Sequence, residues 1–96
     1  MCTIDIQQII KNRTYPDAGE VLYDVMVKTF NTGDILTINM EGVSALPSMF
    51  LNTSLGRYIE ENGADAIKGK LSFKNITRSQ VVRLQDYIKR MSNKSN

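Results

Sequence analysis

Histidine and tryptophan are missing from these 96 residues, cysteine occurs once and proline twice. Without histidine, the commonest general base and the commonest metal ligand are both gone. A single cysteine, Cys2, rules out an intrachain disulfide and every familiar zinc spacing, and it suits a reducing compartment. No apolar run approaches the roughly 20 residues of a membrane span. Residues 1–10 carry Asp5 and two glutamines with no basic cluster, so they do not read as a signal peptide. The six glycines stand singly, so no glycine-rich phosphate loop exists. These absences predict a soluble, cytoplasmic, non-enzymatic chain with no metal, no cofactor and no membrane attachment.

Charge is present but unevenly spread. The net charge is +2, yet residues 1–48 hold three basic and six acidic side chains, whereas residues 49–96 hold nine basic and four acidic. A basic half is one signature of a nucleic-acid surface. A solvated helix face followed by a frayed tail at 92–96 explains it more simply, and nucleic acid is not the expected partner.

Ninety-six residues suit one domain. The alternation Thr3-Ile4-Asp5-Ile6 predicts a half-buried strand, with Ile9 and Ile10 as its continuation. After a turn-rich stretch ending at Pro16, Asp17 with Glu20 three residues later reads as a capping box. Val21, Leu22, Val25, Met26 and Phe30 then share one helix face, and Gly33 stops the helix. The run Ile35–Met40 is apolar enough for an inner strand covered on both faces. A loop through Ser44 leads to a second helix starting near Pro47 or Ser48, striped by Leu51, Leu55, Tyr58 and Ile59 and ended by Gly63. Gly56 inside that helix costs close to 1 kcal/mol against alanine, which predicts close approach of a neighbouring element. Leu71 and Phe73 alternate in a third strand. Thr77 with Gln80 forms another capping box, and Val81, Leu84, Ile88 and Met91 make the inner stripe of a last helix. Strands alternating with helices imply right-handed crossovers. The expected fold is a small α/β domain with a mostly parallel or mixed sheet of three to four strands packed with three helices.

Chemistry has few places to reside. Glu60 and Glu61 point about 100° apart on a helix and cannot share a proton. Ser48 stands where an inner strand gives way to a helix N-terminus, at the carboxyl end of the sheet, where ligands and partners dock in open α/β folds. An anion such as a phosphate on Ser48 is favoured there by free N–H groups. On spacing alone a plain helix cap explains the same serine more simply. The lack of a histidine base and of a G-x-S-x-G elbow argues against a hydrolase serine.

The runs Ile38-Asn39-Met40-Glu41-Gly42-Val43 and Leu46-Pro47-Ser48-Met49-Phe50-Leu51, followed by Leu55-Gly56, resemble the STAS-like domain family of unknown function. Arg13, Asp17 and Gly19-Glu20 upstream are similar to its arginine and Ser-Gly-Glu segment, and Leu71–Lys74 with a closing helix matches its ending. A more distant likeness is to the anti-sigma factor antagonists, in which the strand leads to Asp-Ser-Ser-Gly-Leu and the first serine is phosphorylated by a GHKL-type kinase. That serine falls on Ser48, and Leu55-Gly56-Arg57-Tyr58 is similar to the helix that follows. The chain departs from the pattern at Pro47, Met49, Asn52 and Thr53, where those families carry acidic residues or a second serine. The resemblance implies a regulatory partner switch. A GHKL-type ATPase or kinase would dock on Ser48, the candidate phosphorylation site, with Ser44, Pro47, Met49, Asn52 and Arg13 as surface contacts. The alternatives are a structural or homodimerising domain without a switch, and a weak nucleic-acid binder.

Overall fold

The computed structural model describes residues 2–94. Its elements run β1 (Cys2–Asp5), α1 (Ile6–Ile10), α2 (Tyr15–Asn31), β2 (Leu36–Asn39), α3 (Ser48–Thr53), α4 (Leu55–Asn62), a 3-10 turn (Ala64–Ile67), β3 (Leu71–Lys74) and α5 (Arg78–Lys94). The three strands form one parallel sheet in the order β1-β2-β3.

That order dictates where the helices go. Both crossovers step the same way across the sheet, and right-handed connections stepping the same way lie on the same face. In register, Cys2, Leu36 and Leu71 form one row and Ile4, Ile38 and Phe73 the next, all buried or half-buried beneath the helices. The opposite face carries Thr3, Thr37 and Ser72, then Asp5, Asn39 and Lys74, with the outer positions exposed. The inner strand is therefore covered on one face, not two. Its own sequence carries the reason, since Thr37 and Asn39 alternate with Leu36 and Ile38. The open face is tied along its carboxyl edge by side-chain amides: Asn75 Nδ2 donates to Asn39 Oδ1 at 2.8 Å, and Asn39 Nδ2 donates to Asp5 Oδ1 at 2.8 Å.

Three further expectations are corrected by local chemistry. The first strand stops at Asp5, because Ile6, Ile9 and Ile10 have helical spacing and fold as the turn α1, burying Ile6 and Ile9. The cap of α2 is Thr14, not Asp17: its hydroxyl accepts from the Asp17 N–H at 3.4 Å, Pro16 sits in the first turn, and Asp17 complements the helix dipole there. The second helix is broken at Ser54, whose backbone is non-helical (φ −118°, ψ −90°). Thr53 and Ser54 hydroxyls both turn back on carbonyls of the preceding turn, Ser54 Oγ to Phe50 O at 2.8 Å and Thr53 Oγ1 to Met49 O at 3.0 Å. Such back-bonding bends helices. Of the tail expected to be frayed from 92, residues 92–94 belong to α5, which runs to Lys94, and residues 95–96 lie outside the described residues.

The stop after α2 follows the sequence. Gly33 takes φ +80°, its N–H bonds Phe30 O at 3.0 Å, and the Asp34 N–H bonds Thr29 O at 3.2 Å, which satisfies the last carbonyls of the helix. The core fills the space between helices and sheet, with Phe50, Ile6, Leu22, Met26, Leu36, Ile38 and Ile59 almost fully buried.

Candidate functional site

The β2–α3 loop leaves the carboxyl end of the central strand and lies against the first turns of α5. Gln80 fixes it there. Its oxygen accepts the Thr77 N–H at 2.9 Å, and Thr77 Oγ1 accepts the Gln80 N–H at 3.2 Å, closing the capping box. The amide nitrogen donates to Val43 O at 2.7 Å and Ser44 O at 2.9 Å. Both amide protons and the carbonyl of this buried side chain are thus used, two of them to hold the loop.

Further along, α5 meets the α3–α4 pair through Tyr87, whose hydroxyl donates to Asn52 Oδ1 at 2.7 Å. The ring lies over Gly56: a Cβ built there would overlap the Tyr87 hydroxyl, so the glycine permits the approach its sequence position predicted. Burial, and secondarily the carboxylate of Glu60, hold the Tyr87 hydroxyl above the ordinary tyrosine value.

Between these two attachments a groove of about 270 Å³ stays open. Met40, Leu46, Leu51 and Leu84 line it with apolar surface, Ser48 stands on one wall, and Arg83, Asp86 and Arg90 stand on the other. In open α/β sheets the docking crevice forms where neighbouring connections leave to opposite faces. Here both leave to one face, so the concavity lies between loop and helix instead of above the strand ends.

Ser48 is exposed and occupies the first turn of α3, while Pro47 is the N-cap and provides no capping hydrogen bond. No hydrogen bond joins the Ser48 hydroxyl to any described residue, so the plain capping explanation for this serine is overturned. The other predicted residues separate. Ser44 is exposed and held through its carbonyl, and Pro47 is half-buried in the wall loop. Asn52 is engaged by Tyr87, and Met49 is 57% exposed without lining the groove. Arg13 belongs elsewhere, because its guanidinium donates to Ile9 O at 3.0 Å and closes α1. Gln80, Arg83, Tyr87 and Arg90 were missed as site residues. Their signal was present, since positions 80, 83, 87 and 90 follow helical spacing on one flank of the last helix.

The family described as a STAS-like domain of unknown function matches residues 18–80, from the first turn of α2 to Gln80. The chain belongs to this family. The match takes in Ser48, its loop and the residue that anchors the loop, whereas β1, α1 and the remainder of α5 fall outside it. No curated protein and no solved structure matches the chain. In this STAS-like domain no described helix is long and apolar enough to cross a membrane, and no described cluster of acidic or cysteine side chains could hold a metal.

Proposed function

We propose that the chain is a non-catalytic regulatory module of the cytoplasm. It docks a protein partner, an ATPase or kinase of the GHKL type, through the loop at 44–48 and the start of α3, with a phosphate on Ser48 as the switch. The observation that carries this reading is the state of Ser48: exposed, free of any hydrogen bond among the described residues, and set on the wall of the groove between the loop and α5. A phosphate there adds a charge of about −1.5 to −2 and a hydration shell to a surface that a partner must desolvate, and so breaks the contact. The more distant likeness to the anti-sigma factor antagonists supplies the partner class by resemblance only.

The test is to titrate the protein with the product of an adjacent gene, by calorimetry, in ATP and in ADP. A one-to-one complex that Ser48→Asp weakens at least tenfold, with Ser48→Ala unchanged, is the expected result. A complex indifferent to Ser48→Asp, or no complex with either nucleotide, overturns the reading.

A further inference from the structure

The groove has a chemistry of its own that specifies what enters it. Its floor is apolar, with Leu51 and Leu84 buried and Leu46 half-buried. One wall is cationic: Arg83 and Arg90 are exposed, line the groove, and have no ion-pair partner among the described residues. Asp86 stands between them, three residues from one and four from the other, and pairs with neither within 4 Å; it leaves the wall with one uncompensated positive charge. The two arginines are seven residues apart on α5, so they project from the same flank about 10 Å apart. The cavity, about 270 Å³, lies at the lower edge of the roughly 300–1,000 Å³ of small-molecule pockets and has room for one large apolar side chain.

We infer that this groove is the anchor site for an acidic segment of a partner protein: one aliphatic side chain fills the floor, and two carboxylates about two helical turns apart pair with Arg83 and Arg90. The inference rests on the docking reading above for the surface and adds the partner's chemistry. Arginine is suited to the task, since its planar fork takes a carboxylate in two parallel hydrogen bonds. The apolar anchor supplies affinity while the charge pairs supply orientation and discrimination. Ser48 lines the same groove, so a phosphate on it would bring negative charge into the site the acidic segment occupies.

The test uses two labelled helical peptides carrying one leucine flanked by residues seven apart, glutamates in one and lysines in the other. Fluorescence anisotropy is read against the wild-type chain and the double variant Arg83→Glu/Arg90→Glu, with circular dichroism to confirm that the variant is folded. The glutamate peptide is expected to bind wild type about tenfold tighter than the lysine peptide, with the preference reversed in the double variant. Equal binding of both peptides, no binding of either at millimolar concentration, or a preference unmoved by the double variant overturns the inference. A second copy of the chain as occupant would appear in sedimentation as a dimer that the glutamate peptide dissociates, and that result also overturns it. The two readings fail separately. If Ser48→Asp abolishes the ATPase complex while the peptides show no charge preference, docking stands and the acidic anchor falls. If the preference holds while Ser48→Asp is silent, the switch falls and the anchor stands.

Discussion

The α3–α4 pair is gripped on two sides, and the two grips are built differently. Against α2 the contact is close and shut: Gly19 is buried, a Cβ built on it would overlap Thr53 Oγ1 and come within 2.7 Å of the Phe50 carbonyl, and Phe50 itself is fully buried behind it. Towards α5 the hydrogen bonds are two, Gln80 to the β2–α3 loop and Tyr87 to Asn52 of α3, with open space between them beside the buried Leu84. A shut apolar joint has one solution and contributes most of the stability. A joint held at two polar points leaves a concave surface that solvent or a partner fills. The comparison separates what keeps this domain folded from what is free to bind.

The largest expected effect lies on the shut side. Phe50→Ala removes a fully buried ring and should cost about 3–5 kcal/mol. That is a large part of the roughly 5–15 kcal/mol that holds a domain together, so urea melts should show a large drop in the unfolding midpoint at 25 °C. Gly19→Ala comes next, at about 1–3 kcal/mol, because the atoms it meets include backbone that cannot step aside. A Gly19→Ala protein as stable as wild type would mean that the two helices are not in this contact. On the open side, Gln80→Leu should cost about 1–2 kcal/mol, since it orphans the Val43 and Ser44 carbonyls and opens the capping box. Its signature is local: hydrogen exchange at residues 43–48 should speed up while α2 stays protected. Uniform acceleration would place Gln80 in the core instead.

The smallest effect is one of pH. The Tyr87 hydroxyl is raised by burial and then by Glu60; the Tyr23 hydroxyl is raised chiefly by its hydrogen bond to Glu61, on the α2–α4 side. Both shifts favour the neutral phenol in the folded chain. The folded state therefore keeps its protons where the unfolded chain has begun to lose them. The stability they contribute is complete below about pH 10 and is lost as pH rises through the native values. Thermal melts from pH 8 to 11 should show this decline, and Tyr87→Phe should flatten it more than Tyr23→Phe. An identical alkaline limb in Tyr87→Phe would show that the hydroxyl is not buried against α4.

How legible all this was depended on how local the determining chemistry is. The Thr77–Gln80 box, the Gly33 stop and the stripe Leu22–Met26–Phe30 depend on residues a few positions apart, and they stand in the structure as the sequence implies. Gly56 was legible as a place of close approach, but not which residue approaches, because Tyr87 lies 31 positions away. Errors arose where two periods fit the same residues. Ile6, Ile9 and Ile10 extend the apolar run of the first strand, yet their spacing is that of a helical turn. The break at Ser54 went unread because back-bonding hydroxyls inside a helix leave the apolar stripe intact. The placement of Ser48 at the start of a helix was accurate, whereas the groove beside it needed the long-range packing of α5 that no local pattern encodes.

The most direct test is to follow backbone amide shifts while the proposed partner, a GHKL-type ATPase, is titrated in. The account predicts that the perturbed amides cluster on residues 44–49 and on 80–90 of α5, the two walls of one groove. Perturbations confined to Thr3, Thr37 and Ser72 on the uncovered face of the sheet, with both walls silent, would contradict it.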